Sequence, residues 1–274
     1  MDGRPSIVWD ERGGATVLRD GHPQSYVDLD DPEGLVFEYM QHCAACLDAL
    51  LPRSRHPRLA ITHVGGAGLT LPRWVEATRP GSPQIVLEPD VVLTELVRRE
   101  LPLPRGHRIR VRPQAGREGV AALADSSADA LVVDAFADGS VPSDLVTEEF
   151  FADAVRVLRP AGMLLMNSPD EPGLRHLVRV AAGLRSAVGP GGEVAAVAMR
   201  DVVKGRRFGN VVLVGSRAPL DVEEVRRQLR RWPFPSGVLG PAELSRRAGG
   251  ASPIRDGDAT PSPVAPEAGA WRAR

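Results

Sequence analysis

A glycine-rich loop and an acidic residue after the next strand form the segment of this sequence best suited to bind a nucleoside. Residues 59–72 read LAITHVGGAGLTLP, so an apolar strand runs directly into Gly65, Gly66 and Gly68 before a helix begins. Glycines let the backbone turn tightly and approach a ligand, and N–H groups at a helix start face that ligand. Glu88 follows about 20 residues later, where a carboxylate can accept hydrogen bonds from ribose hydroxyls. The glycine spacing departs from G-x-G-x-x-G, which disfavours a dinucleotide.

A second acidic residue, Asp134, ends a later apolar strand with the sequence LVVD. Ligands of open α/β sheets bind at the carboxyl ends of the strands, which places Asp134 beside the same crevice. Position alone fits a catalytic carboxylate and a helix cap or loop anchor equally well. Residues 137–144, which include Gly139 and Pro142, are expected to fold over a substrate.

Strands and helices alternate through the middle of the chain, which predicts a mostly parallel sheet with helices on both faces. The predicted strands are 59–64, 84–88, 108–112, 130–134 and 162–167, and the predicted helices are 71–77, 91–101, 117–124, 147–158 and 173–188. Two further strands, 193–199 and 210–215, complete a seven-stranded sheet with an antiparallel edge, and a short helix at 221–231 follows. The fold class is therefore α/β.

Both ends of the chain differ in pattern from this middle part. Short β-prone segments at 6–9, 15–19 and 24–28 predict an N-terminal β appendage over residues 1–30. A helix is expected from Pro32 to Leu50, with Asp31 as its N-cap. The catalytic domain is then assigned to 31–235. Residues 236–274 are rich in Gly, Pro, Ala and Ser without periodicity, which predicts a disordered tail.

The composition limits the partners. The 34 basic and 35 acidic residues give a net charge of −1, so no basic field favours nucleic acid or an anionic membrane. The first ten residues are polar and no stretch reaches the roughly 20 apolar residues that span a bilayer, so a cytoplasmic protein is expected. Cys43 and Cys46 have CxxC spacing within a helix and are interpreted as buried apolar residues, and no metal site is expected. His63 is interpreted as a core histidine.

The motifs together resemble a known family. Gly65-Gly66-Ala67-Gly68, Glu88, Arg117-Glu118, Val133-Asp134 and the LRPAG at 158–162 look like the class I S-adenosylmethionine-dependent methyltransferase fold. The DGHPQS at 20–25, followed by a helix with FEYM at 37–40, is similar to the small β domain and first helix of spermidine synthases, the polyamine aminopropyltransferases. The resemblance spans about residues 15–215.

This resemblance implies a reaction at a carbon attached to sulfonium. Such enzymes transfer an aminopropyl group from decarboxylated S-adenosylmethionine to a small-molecule amine such as putrescine and release methylthioadenosine. Asp134 matches the acid that positions and deprotonates the amine. The resemblance assigns the donor to Gln24, Gly65, Gly66, Gly68, Glu88 and Arg117, and the acceptor to Phe37, Tyr39 and Asp138. The N-terminal strands would form the edge of a homodimer.

Three positions depart from the family pattern and leave alternatives open. Ala137 replaces a second aspartate, Phe37 replaces a tyrosine, and Ala115 replaces the acid that reads the adenine amino group. One alternative is a methyltransferase that uses S-adenosylmethionine itself. The other is a non-catalytic nucleoside-binding homologue. A cation facing the donor's amino-acid end would favour the methyltransferase.

Overall fold

An eight-stranded sheet forms the centre of the computed structural model, which describes residues 4–266. The strands are β1 Ser6–Trp9, β2 Gly14–Arg19, β3 His22–Asp28, β4 Ile61–Val64, β5 Gln84–Leu87, β6 Ile109–Arg112, β7 Ala128–Val133, β8 Leu158–Asn167, β9 Glu193–Met199, β10 Val211–Ser216 and β11 Ser236–Leu239. The α-helices are α1 Glu38–Leu50, α2 Thr70–Thr78, α3 Val91–Glu100, α4 Gly116–Ala121, α5 Glu148–Val157, α6 Arg175–Val188, α7 Arg200–Val203, α8 Val222–Leu229 and α9 Pro241–Ala248.

The order of the large sheet is β11-β9-β10-β8-β7-β4-β5-β6. Strands β4 to β8 pair in parallel, whereas β10 runs antiparallel to both β8 and β9, as the sequence predicted. Strand β11 adds an eighth member by pairing antiparallel with β9. The chain order reverses at β4, between β5 and β7, so a crevice is expected at the carboxyl ends of β4 and β7.

Helices cover both faces of this sheet, because successive side chains of each strand point to opposite sides. In β7, Leu131 and Val133 pack with α4, α5 and α6, whereas Ala130 and Val132 pack with α1, α2 and α8. Strands β1, β2 and β3 form a separate antiparallel sheet, which confirms the N-terminal β appendage. Within residues 4–266, no helix has the length and apolar character that crossing a membrane requires.

The first helix begins later than the sequence predicted. Helix α1 starts at Glu38, and Asp31 opens a turn in which the Gly34 N–H donates to the Asp31 carbonyl at 3.0 Å. The amide of Gln41 donates to the carbonyl of Leu35 at 2.6 Å and holds the preceding chain in an extended course. The expectation that Pro32 begins the helix was therefore wrong, because the turn signal at Asp31–Gly34 dominates.

The predicted disordered tail was also wrong over the residues that the structure describes. Residues 236–266 contain β11 and α9, and a following segment buries Ile254 completely. Ile254 docks this segment on the core, and ion pairs with α4 and α6 direct the course of the residues that follow it. Residues 267–274 of the predicted tail lie outside the described residues.

Candidate active site

The glycine-rich loop and Asp134 meet at the carboxyl ends of β4 and β7. Gly65 follows β4 with φ +89°, a conformation that strongly favours glycine. Its N–H donates to the Leu87 carbonyl at 2.9 Å. A Cβ at Gly65 would lie 2.1 Å from the carbonyl oxygen of Asp134. The close approach of the two strand ends therefore depends on the absence of a side chain at this position.

Glu88 lies directly beside the loop, as the sequence predicted. Its Oε2 accepts from the N–H groups of Gly66 at 2.9 Å and Ala67 at 3.3 Å, and its Oε1 accepts from the N–H of Asp90 at 2.9 Å. These hydrogen bonds fix the position of the glycine-rich loop relative to the end of β5. A carboxylate has about four lone-pair sites, so Glu88 keeps capacity for about one hydroxyl donor besides these three N–H groups.

The N-terminal sheet packs on the same loop through Ser25. The N–H of Gly68 donates to Ser25 Oγ at 2.9 Å, and Thr70 Oγ1 donates to the Tyr26 carbonyl at 2.8 Å. Gln24, the residue predicted to bind the donor, alternates with Ser25 along β3, and its amide donates to the His22 carbonyl at 3.3 Å. The structure thus brings Ser25 rather than Gln24 to the loop.

Asp134 is half-buried between two hydrogen-bonding side chains. Asn167 Nδ2 donates to Asp134 Oδ1 at 3.0 Å, and the hydroxyl of buried Tyr39 also hydrogen-bonds the carboxylate. Burial raises the pKa of Asp134 from 3.8 to about 6, against the lowering effect of these two hydrogen bonds. Burial, together with the nearby Asp134 charge, raises the pKa of Tyr39 well above its ordinary value. Tyr39 therefore keeps its proton and donates a hydrogen bond to Asp134, whose carboxyl group ionises as the pH rises through about 6.

Asn167 is a site residue that the sequence reasoning missed. It ends β8, whose Met166 pairs with Val133 of β7, so it lies one strand away from Asp134. Its Oδ1 is buried and has no hydrogen-bond partner among the described residues. A polar residue at the carboxyl end of the apolar LLM run was the available signal. This oxygen can therefore accept a hydrogen bond from an N–H group that lies beside Asp134.

The remaining predicted acceptor residues divide into two groups. Phe37 stacks on Tyr39 with ring centroids 5.9 Å apart, so the structure brings both aromatic residues to the site. Asp138 instead occupies an exposed turn that Ala137 and Ser140 close with reciprocal backbone hydrogen bonds of 2.9 and 3.0 Å. Its backbone φ is +51°, and the turn separates it from the contacts around Asp134.

Arg117, predicted to bind the donor, makes protein contacts instead. Its guanidinium donates to Thr147 Oγ1 at 2.9 Å and to Asp256 Oδ2 at 2.9 Å. A further bond reaches the Asp144 carbonyl at 3.3 Å. The structure therefore assigns Arg117 contacts that anchor the C-terminal segment, and its donor role remains a prediction.

The interpretations of the histidine and the cysteines are confirmed. His63 Nε2 pairs with Gln84 Oε1 at 2.9 Å in the core, and burial lowers its pKa to about 4. Cys43 and Cys46 are free, buried thiols whose pKa values burial raises. Among residues 4–266, no group of three or more His, Cys, Asp or Glu could hold a metal ion.

The raised pKa of Asp134 predicts a specific pH dependence of stability. The folded state favours the protonated acid, so this group's stabilisation is present below pH 3.8 and is lost as pH rises through about 6. We expect the free energy of unfolding of the wild type, minus that of Asp134→Asn, to fall between pH 4 and 7. Urea unfolding of both proteins across this range measures the difference. A constant difference would contradict the raised pKa.

Sequence comparison supports the resemblance. No protein-family model matches the chain. The polyamine aminopropyltransferase of Chromobacterium violaceum is 25% identical over 169 residues, which cover 61% of this chain and 63% of that protein. The polyamine aminopropyltransferase of Neisseria meningitidis serogroup A is 27% identical over 168 residues, covering 60% and 62%. These matches span less than two thirds of the length of each relative.

Comparison with solved structures extends over more of the chain. A probable spermidine synthase from Corynebacterium glutamicum has a TM-score of 0.84 and 28% identity, and the match covers 92% of each chain. Spermidine synthase from Thermotoga maritima has a TM-score of 0.60 at 16% identity, covering 90% of this chain and 84% of that one. Human methyltransferase-like protein 13 in complex with SAH has a TM-score of 0.55 at 23% identity, covering 77% and 92%. The last two show the shared fold alone. The chain is therefore similar in sequence to polyamine aminopropyltransferases and in structure to a probable spermidine synthase, and it has the class I methyltransferase-type fold.

Proposed function

We propose that the chain is a transferase that moves the aminopropyl group of decarboxylated S-adenosylmethionine to a small-molecule amine. The observation that carries this proposal is the environment of Asp134, a carboxylate with a raised pKa beside the glycine-rich loop. The polyamine aminopropyltransferases and the probable spermidine synthase described above support the same reaction class.

The chemistry requires a base at this position. Alkylamines are protonated at neutral pH and cannot attack carbon until a proton is removed. A carboxylate with a pKa of about 6 is ionised at pH 7, binds the ammonium and accepts one of its protons, which frees the nitrogen lone pair for attack. Tyr39 and Asn167 fix the carboxylate, and Asn167 Oδ1 remains available to a second N–H of the amine.

The opposite side of the crevice fits the nucleoside part of the donor. Gly65 lets the loop lie directly against the backbone of Asp134, and Glu88 lies beside Gly66 with a lone pair for a ribose hydroxyl. When bound, the donor supplies a carbon activated by its attachment to sulfonium. The protein's contribution is to hold that carbon in line with the amine that Asp134 deprotonates.

Two arginines near the glycine-rich loop and α4 are held by the protein, which supports the decarboxylated donor over S-adenosylmethionine itself. Binding of the extra carboxylate of S-adenosylmethionine calls for a cation at the amino-acid end. Buried Arg73 donates from Nε to the Gly68 carbonyl at 3.1 Å, and its other two nitrogens donate to the carbonyls of Leu101 and Pro102. Arg117 is paired with Asp256. Both guanidinium groups are therefore engaged by the protein.

Calorimetric titration with decarboxylated S-adenosylmethionine, S-adenosylmethionine and methylthioadenosine tests the proposal. We expect the decarboxylated donor to bind at least about tenfold more tightly than S-adenosylmethionine, a difference of about 1.4 kcal/mol. Glu88→Gln is the matched control, because the ribose is common to all three ligands and the variant should weaken each equally. Preference for S-adenosylmethionine would identify a methyltransferase. Absence of binding by all three would contradict the proposed function.

A further inference from the structure

The C-terminal segment of residues 249–264, here called the strap, crosses the outer helices toward the loop that carries Asp134. Its Ile254 is fully buried in the core on the α5 and α6 side, and the Ile254 carbonyl accepts from the N–H of Glu148 at 2.8 Å. This contact docks the strap at the first residue of α5. The loop from β7 to α5, residues 134–147, ends at the same point.

Charged groups fix the course of the strap beyond Ile254. Asp256 pairs with Arg117 at 2.9 Å, and Asp258 pairs with Arg179 at 2.7 Å. Arg117 also donates to Thr147 Oγ1, the N-cap of α5, so one guanidinium joins the strap to the end of the β7–α5 loop. Because solvent screens these exposed pairs, their effect is to direct the strap rather than to stabilise the fold.

Ser262 makes the contact that reaches the middle of the loop. The N–H of Val141 donates to Ser262 Oγ at 2.9 Å, and the N–H of Ser262 donates to the Val141 carbonyl at 3.2 Å. Both residues are buried, with Ser262 only 3% exposed. The contact therefore satisfies a backbone N–H that would otherwise be buried without a hydrogen-bond partner.

The loop is consequently held at two points on either side of its turn. At its start, the N–H of Asp134 donates to the Val64 carbonyl at 2.9 Å. Beyond the turn at Asp138 and Gly139, Val141 is held by Ser262. A Cβ at Gly139 would lie 3.4 Å from Val264 Cγ1, so the end of the strap also borders the turn itself. Among the described residues, Val141 is the only residue of the loop that forms a backbone–side-chain hydrogen bond with the strap.

We propose that Ser262 is a positioning residue for the active site, through which the strap holds the β7–α5 loop and with it the acceptor side of Asp134. The expected effect of Ser262 on turnover rests on the proposed function, whereas its expected effect on the position of the loop does not. Loss of the Ser262 hydroxyl should free the loop and weaken use of the amine without affecting the nucleoside, which binds on the β4–β5 side.

The test compares Ser262→Val, which removes the hydroxyl and keeps the backbone N–H, with Ser262→Thr, which keeps both. Ser252→Val is the matched control, because exposed Ser252 lies in the same strap and only its backbone carbonyl is bonded, by Arg179. We expect amide hydrogen exchange over residues 137–146 to be at least about tenfold faster in Ser262→Val. Ser262→Thr and Ser252→Val should exchange as the wild type does.

Two further measurements separate positioning from a purely structural role. For Ser262→Val, we expect kcat/KM for the amine to fall about tenfold, with the Kd of methylthioadenosine within about twofold of the wild type. The pKa of Asp134, measured by carboxyl NMR, should move from about 6 toward its ordinary value as the loop admits water.

Unchanged exchange in Ser262→Val, or a mobile loop with an unchanged Asp134 pKa, would overturn the proposal. A wild type that transfers to no amine would instead overturn the proposed function. The exchange and NMR measurements would then still decide the role of Ser262.

Discussion

Asp134→Asn should lower kcat by about 10²–10⁴-fold while the Kd of methylthioadenosine changes by less than about twofold. The amide that replaces the carboxylate cannot accept the proton of the attacking amine. It retains an oxygen for the hydrogen bond from Asn167, which is 3.0 Å from Asp134 Oδ1, so the geometry of the site should persist. Steady-state kinetics with the decarboxylated donor and an amine, together with calorimetry for methylthioadenosine, measure the two quantities.

Asp144→Asn is the matched control for this change. Asp144 lies in the same β7–α5 loop, is exposed, and contacts Arg117 only through its backbone carbonyl. The variant removes one negative charge from the loop and should keep the wild-type rate. Equal activity of Asp134→Asn and the wild type would remove Asp134 from the mechanism. Absence of turnover in both proteins would favour the non-catalytic, nucleoside-binding alternative.

Gly65→Ala should abolish nucleoside binding and destabilise the fold by about 2–5 kcal/mol, the combined cost of overpacking and of a left-handed backbone. The new Cβ would lie 2.1 Å from the Asp134 carbonyl oxygen, and backbone on both sides must separate to accommodate it. That movement displaces the loop from Glu88 and displaces Asp134 together with it. Urea unfolding and titration with methylthioadenosine measure the two effects.

Gly106→Ala separates the steric effect from the conformational one. Gly106 has a similar φ of +83°, but a Cβ there would meet no atom within 4 Å. This variant should therefore lose only about 1–2 kcal/mol and bind methylthioadenosine normally. Equal destabilisation by the two substitutions would mean that the contact between Gly65 and Asp134 is not tight.

Local sequence signals predicted the parts of the site that lie at strand ends. The glycine-rich loop, Glu88 and Asp134 each follow an apolar strand, and the rule that ligands bind at the carboxyl ends of strands brings these together without knowledge of the packing. Tyr39 and Phe37 were assigned through the family resemblance, and the structure places both next to Asp134 or its partner. The seven predicted strands of the large sheet are also present, because a local apolar run marks each of them.

The features that the sequence did not predict depend on contacts between segments that are distant in sequence. Asn167 joins Asp134 across 33 positions, and Arg117 joins Asp256 across 139. The periodicity of apolar residues along a helix or strand carries no information about pairs so far apart. The lack of apolar periodicity predicts a disordered tail over residues 236–274, yet Ile254 and the hydrogen bonds of Ser262 dock residues 249–264. The contact between Ser25 and the glycine-rich loop was not predicted, because the Ser25 hydroxyl accepts from a backbone N–H rather than from a ligand.

Product analysis tests the central claim most directly. The purified protein is incubated with decarboxylated S-adenosylmethionine and a panel of amines, and in parallel with S-adenosylmethionine, and the products are identified by mass spectrometry. We predict that methylthioadenosine and an aminopropylated amine form in equal amounts, only when both substrates are present, and that Asp134→Asn forms neither at a comparable rate. Formation of S-adenosylhomocysteine and a methylated product from S-adenosylmethionine would contradict aminopropyl transfer and identify a methyltransferase.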